Sequence, residues 1–430
     1  MTPNPPLPPR LGPRPLPLHM AVEGWILQMS LAGLVPSSSA SPSSRPNPLA
    51  QLAASLPANL RAVLQELTAE AVALNPAGLS QANAAPFVDA ITREATLRME
   101  TFARGVQAYQ AHPYRRDLTP PPAVWRMGAA SLRDYGGPKK APPVLFVPSL
   151  INRAHILDLA EDRSLLRAAA GAGLRAYLLD WGYPGKAERQ FTSGDYVEGV
   201  LIPALEEIKA QSGQVPRLVG YCLGGTLSVA PAVLRPDLVA ALGLLAAPWD
   251  FRSGTEASRV LMNVSRPVIE VMLAAEGLAS VDMLQALFAS LDPTLVGRKF
   301  RRFAALDQNS EHARRFVELE DWLNDGVPLS GALAEEVFFN WYGANDPLNG
   351  RWKIDGTVID PGRIACPTLA FIPTQDRIVP PGAAQCLADR IPQGAARTVA
   401  FGHIGMVAAA NAPRAIYQPL LDWLKSPGKT

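Results

Sequence analysis

Beyond Pro142 the chain alternates between short, almost unbroken apolar runs and longer stretches in which apolar residues recur at helical spacing. Val144 to Val147, Ala176 to Leu179, Pro216 to Val219, Ala241 to Leu245, Thr368 to Ile372 and Arg397 to Phe401 are the runs. Strands buried on both faces read this way, because helices cover a parallel sheet from either side. The pattern predicts an α/β domain around a mostly parallel sheet. From Phe251 to about Pro361 the interval is too long for one crossover. Its Leu and Phe content, with Trp322 and Trp341, predicts an inserted helical cap that keeps water from whatever lies beneath it.

Upstream the texture changes. Met1 to Leu18 is crowded with proline and lacks the apolar core of a signal peptide. Met20 to Val35 is apolar but contains Glu23 and is too short to span a bilayer, so it either lies on an apolar surface or docks on the protein's own core. Pro36 to Pro48 reads as a linker. Between Leu49 and Gln110 the pattern is helical, with Phe87, Val88, Ile91, Ala95, Leu97, Met99, Phe102, Val106 and Tyr109 forming a stripe for packing. Pro113 and the Pro120 to Pro122 run close it. Three segments are expected: a largely disordered Pro/Ser-rich tail with a short apolar helix (1–47), a helical region (48–135), and the α/β domain (136–430) with its cap at about 251–361.

Composition narrows the function classes. The 430 residues carry a formal charge of +2 with 18% charged side chains, so no strong field invites nucleic acid or an anionic membrane. Only Cys222, Cys366 and Cys386 are present, which suits reduced thiols in a cytoplasm rather than a disulfide framework. No Cys/His spacing indicates a metal site, and no transmembrane segment is expected.

Chemistry concentrates at Arg217-Leu218-Val219-Gly220-Tyr221-Cys222-Leu223-Gly224-Gly225, where an apolar run breaks into glycines ahead of a helical stretch. A strand that turns sharply into a helix lifts the turn residue above the sheet, and Gly220 and Gly224 permit the close approach this needs. Cys222 is the candidate nucleophile; the bland alternative is a buried, inert thiol. Asp376 falls just past the run ending at Ile372, and His403 follows the run ending at Phe401, positions that suit a triad acid and base. The order nucleophile, acid, histidine is that of chains with an alpha/beta-hydrolase fold, which is the fold class expected here, with a helical cap and an N-terminal helical extension. His19, His112, His155 and His312 have contexts that fit solvated or structural roles. The N–H of Leu223, next to the nucleophile at a helix N-terminus, fits an oxyanion donor.

Other segments resemble the catalytic domain of the polyhydroxyalkanoate synthases. Val147-Pro148-Ser149-Leu150-Ile151-Asn152-Arg153, Ile156 to Leu159, Glu161 to Leu165, Asp180-Trp181-Gly182-Tyr183-Pro184 and Asp195-Tyr196 carry it, with the Cys222 elbow, Asp376 to Pro380 and Gly402-His403-Ile404 following in the family's order. The likeness runs from roughly Tyr114 to Trp423 and is nearest the short, two-subunit type, from which the N-terminal extension departs. The resemblance implies an acyltransferase that takes (3R)-hydroxyacyl groups from coenzyme A onto Cys222 and joins them into a polyester. It implies Ile151 N–H as second oxyanion donor and Asp376 as an aid to His403 in activating the incoming 3-hydroxyl. Asn152 and Arg153 would meet coenzyme A phosphates or orient their loop, and Asp158 and Asp180 match family positions or serve as structural caps. It further implies no cofactor beyond the thioester substrate, a polymer granule surface, a homodimer or accessory subunit as partner, and a cytoplasmic, granule-associated location. Two rival readings stay open on the residues: a cysteine esterase, thioesterase or depolymerase that uses water, and a catalytically silent granule-associated protein.

Overall fold

The computed structural model of the protein describes residues 9–32, 84–253 and 256–428. The linker at 36–48 and the helical positions 49–83 lie outside them. The chain divides into two compact units: Met1–Arg115 with Gln285–Asn324, and Arg116–Leu284 with Asp325–Thr430.

The larger unit is built on one eight-stranded sheet: β1 (Ala123–Met127), β2 (Ala130–Asp134), β3 (Pro143–Val147), β4 (Arg175–Asp180), β5 (Arg217–Tyr221), β6 (Leu242–Leu245), β7 (Thr368–Pro373) and β8 (Gly394–Val399). Their spatial order is β1-β2-β4-β3-β5-β6-β7-β8. Strands β4 to β8 run parallel with β3, and β2 pairs antiparallel with both β1 and β4. Every residue of β3 is buried, which is why that stretch reads as an unbroken apolar run. This is the α/β architecture the hydrophobic pattern predicts. The sheet begins earlier than residue 136, because Ala123–Asp134 folds as a hairpin on its antiparallel edge. At the other edge β8 is displaced from 397–401 to Gly394–Val399. Its side chains are mostly exposed, so its limits follow the ladder to β7 rather than an apolar signal.

Some ten residues past β3, Asp158 is fully buried. Its carboxylate accepts from Arg167 Nε at 2.8 Å, from the Tyr135 hydroxyl at 3.0 Å and from Arg116 at 3.4 Å. Asp180 accepts from the N–H of Gly182 at 3.2 Å and closes the turn after β4.

The smaller unit packs the helices Leu16–Ala32, Ala84–Ala111, Leu295–Ala304 and Glu311–Asn324. Its core is Phe102, Val106, Tyr109, Phe300, Phe303, Ala313 and Val317. Of the expected stripe, Leu97 is 51% exposed, since it lies about 200° round the helix from Met99, which packs on that core; the side chains of Phe87 and Val88 lie outside the described residues. Two further expectations are corrected. The short apolar helix expected here runs Leu16–Ala32, but residues 9–15 ahead of it are ordered rather than tail-like: Arg10 is held by both carboxylate oxygens of Asp321 at 2.5 and 2.9 Å and by the carbonyls of His112 and Tyr114. The expected insertion at 251–361 is split, since Gln285–Asn324, with the buried Trp322, belongs to the smaller unit, while Glu256–Glu276 and the turn with Trp341 belong to the larger.

Candidate active site

Strand β5 ends at Tyr221 and the helix Leu223–Leu234 starts one residue beyond Cys222. Cys222 takes φ 56 and ψ −129, a conformation that costs a non-glycine residue about 1–3 kcal/mol and persists only where the surroundings enforce it. Those surroundings are glycine contacts. A Cβ at Gly224 would lie 2.2 Å from the Pro148 carbonyl oxygen, and one at Gly220 would lie 2.4 Å from Gly225 Cα, so neither position admits a side chain without moving backbone. The Cys222 N–H donates to the Leu245 carbonyl at 2.9 Å, which ties the turn to β6. The side chain is half-buried.

The acid and base arrive from the other half of the sheet. Asp376, on the loop after β7, accepts from the N–H groups of Ile378 and Val379 at 2.8 Å each through Oδ1. Its Oδ2 lies 2.6 Å from His403 Nδ1. The N–H of Gln375 donates to the Phe401 carbonyl at 2.9 Å, lacing the acid loop to the histidine loop. With Nδ1 committed to Asp376, Nε2 is the ring nitrogen left for Cys222, which stands near enough to raise the pKa of the ring. The fold thus unites three residues that stand far apart in the chain.

Burial alone would lower the pKa of His403. The negative charge of Cys222, the hydrogen bonds to Asp376 and Cys222 and the charge of Asp376 outweigh it and lift the ring from 6.5 to about 10. A raised histidine stabilises the fold fully below its ordinary value, and that contribution is lost as pH rises through about 10. Cys222→Ala removes one of the groups that raise it. The His403 ring, followed by NMR, is therefore expected to titrate at lower pH in Cys222→Ala than in the native protein; identical midpoints would contradict the pairing.

The remaining predicted residues fall near the elbow with mixed roles. Leu223 opens a helix, so its N–H has no acceptor within that helix. Ile151 N–H donates to Ser149 Oγ at 3.2 Å. Asn152 takes φ 67, and its side-chain oxygen would lie 3.2 Å from a Cβ at Gly326. Arg153 pairs with Asp325 at 3.3 Å, a partly exposed ion pair that stabilises by no more than about 1 kcal/mol. Cys366 has its thiol pushed up to about 11, chiefly by burial, which favours the unreactive protonated form. His19 and His112 are buried, with ring nitrogens near the carbonyls of Arg14 and Gln308. One residue escaped the sequence reading. Tyr342, on the turn Glu336–Gly343, keeps 36% of its surface exposed and packs edge-on against Phe251 at 5.1 Å, while the desolvated surroundings of its hydroxyl and the nearby charges of Cys222 and Asp376 raise its pKa. A tyrosine in a Phe/Trp-rich stretch reads as core, and nothing in the spacing marks it.

A cavity of about 550 Å³ in the same unit has walls that include Asp195, Glu198, Glu335, Glu336 and Trp352, and no triad residue lines it. Arg351 and Lys353 line it as well, against a larger number of carboxylates.

Comparison with known proteins places the fold and the family. A family profile described as the alpha/beta hydrolase fold matches residues 142–408. The poly(3-hydroxyalkanoate) polymerase subunit PhaC of Thiocystis violacea is 30% identical over 71% of this chain and 88% of its own length. The PhaC subunit of Allochromatium vinosum is 29% identical with the same coverage, and that of Synechocystis is 31% identical over 66% of this chain and 77% of its own.

Proposed function

This chain belongs to the poly(3-hydroxyalkanoate) polymerases, a family built on the alpha/beta-hydrolase fold, and from that premise we propose that it moves 3-hydroxyacyl groups from coenzyme A to Cys222 and on into a polyester. One observation supports the assignment of roles above all others: a cysteine on a strained strand-to-helix turn stands close enough to act on an imidazole whose Nδ1 lies 2.6 Å from a buried carboxylate.

His403 takes the thiol proton, and the thiolate attacks the thioester carbonyl of the substrate. Charge on the carbonyl oxygen is met by the N–H of Leu223 and, once it turns from Ser149 Oγ, by that of Ile151. Collapse breaks the bond to coenzyme A, whose sulfur leaves with the proton from His403. The acyl group is then a thioester of Cys222. In the second half His403, steadied by Asp376, takes the proton of a 3-hydroxyl on an incoming hydroxyacyl-coenzyme A. The alkoxide attacks the acyl-cysteine, an ester forms, and Cys222 leaves as thiolate and recovers the proton. The lengthened chain, now on coenzyme A, reacylates Cys222 and releases coenzyme A.

Cysteine suits this cycle because exchange between two thioesters is nearly isoenergetic, so the held chain stays reactive toward a hydroxyl. A serine ester would lie downhill. On this reading no cofactor is needed beyond the thioester substrate. The protein works in the cytoplasm at the surface of its polymer, with a second copy or an accessory subunit as partner.

The test is incubation with 3-hydroxybutyryl-coenzyme A. Thiol release with insoluble polyester is the expected result; thiol release with free 3-hydroxybutyrate would identify a hydrolase, and no release a silent protein.

A further inference from the structure

Tyr221 ends β5 directly before the nucleophile, and the acyl-transfer cycle described above gives it no task. Its side chain is buried, and a buried phenol needs a partner for its hydroxyl. The hydroxyl donates to the backbone carbonyl of His403 at 3.2 Å, across 182 residues of chain. The two rings also face each other, with centroids 5.2 Å apart and planes inclined by 30°. Strands β6 and β7 lie between β5 and β8 in the sheet, so this contact brings the loop after β8 back to the end of the nucleophile strand.

The two contacts act differently. A hydroxyl bond of 3.2 Å is long for its kind and grips a carbonyl, so it fixes where the histidine loop stands. The ring contact acts on the imidazole itself. An aromatic face carries negative charge and attracts the imidazole more once that ring is a cation, the form His403 takes on accepting the thiol proton. The other groups at the ring are Asp376 on Nδ1, from the loop after β7, and Cys222, from the elbow; the Tyr342 hydroxyl stands near both. Burial keeps the Tyr221 hydroxyl protonated, so its contribution comes from position and from the ring face, with no charge of its own.

We infer that Tyr221 is a positioning residue of the reaction: its hydroxyl sets the histidine loop beside the elbow, and its ring face favours the imidazolium that forms there. The inference rests on the acyl-transfer reading for what that imidazolium is used for, and on the two contacts for the hold itself. Because Tyr221 and Cys222 are consecutive, base and nucleophile are tied to one strand end, and the spacing between them does not depend on Asp376 alone.

Tyr221→Phe and Tyr221→Leu in the full chain test this, with two readouts: kcat and KM for coenzyme A release from 3-hydroxybutyryl-coenzyme A, and the titration of the His403 ring by NMR. Phenylalanine keeps the ring and loses the hydroxyl, so kcat should fall about fivefold at unchanged KM while the His403 midpoint stays where it is in the native protein. Leucine keeps the site apolar and loses the ring face. A group that favours the cation raises the midpoint, so its removal should lower the midpoint by about half a pH unit or more, with kcat down about tenfold. A leucine variant with the native midpoint, or a phenylalanine variant with the native kcat, would overturn the inference; the second decides even where the leucine variant does not fold. If the native protein releases no coenzyme A while the leucine midpoint drops, the acyl-transfer reading falls and the hold of Tyr221 on His403 stands. Native turnover in both variants with unmoved midpoints removes this inference and leaves that reading intact.

Discussion

Cys222→Ala is expected to abolish coenzyme A release from hydroxyacyl thioesters, a fall of about 10⁴-fold or more, since removing a nucleophile leaves only what binding and the oxyanion donors contribute. The size of the effect follows from the geometry. His403 and Asp376 are both buried, and the imidazole is held through Nδ1 by the Asp376 carboxylate at 2.6 Å, so the pair is arranged to move a proton and not to take the place of the thiol. Cys222→Ser keeps the shape but replaces a readily ionised thiol with a hydroxyl, and the acyl-serine that forms is reluctant to pass its chain to another hydroxyl. Slow release of coenzyme A without polymer is the outcome expected there. Thiol release followed with a chromogenic disulfide, and polymer weighed after extraction, measure the two separately. An alanine variant that keeps more than a few per cent of native turnover would remove Cys222 from the mechanism.

Asp158→Ala is expected to destabilise the larger unit by about 3 kcal/mol. Removal of one partner from a buried ion pair strands the other charge, and losses of about 3–5 kcal/mol are usual. The low end applies here, because Arg167 and Arg116 keep 38% and 22% of their side-chain surface in water and recover some hydration. The Tyr135 hydroxyl loses its acceptor too. Urea unfolding of the variant against the native protein measures the difference, and a loss below about 1 kcal/mol would show that water takes over the role of Asp158.

Legibility in the sequence tracked the physical source of each signal. The central strands announced themselves through continuous apolar runs, because burial on both faces leaves no room for polar positions. The edges did not. In β8 most side chains face water, and the hairpin of β1 and β2 is similarly mixed, so pairing with a neighbour sets their limits. Cys222 could be found because its turn is enforced by local glycines, whose effect needs no distant partner beyond what a sheet already supplies. Tyr342 could not, since an aromatic in an apolar stretch looks the same whether it packs on core or stands near the charges of the site.

By itself the sequence determined the central strands and the elbow, each set by residues close together in the chain, and it showed the order of nucleophile, acid and base. Only the tertiary structure decided that Asp376 and His403 meet, that Arg10 anchors the N-terminal segment, and that the expected cap is shared between two units. These depend on contacts between residues distant in sequence, and a contact of that kind leaves no periodicity to read. It exists only once the chain has closed its loops and buried the groups that face each other.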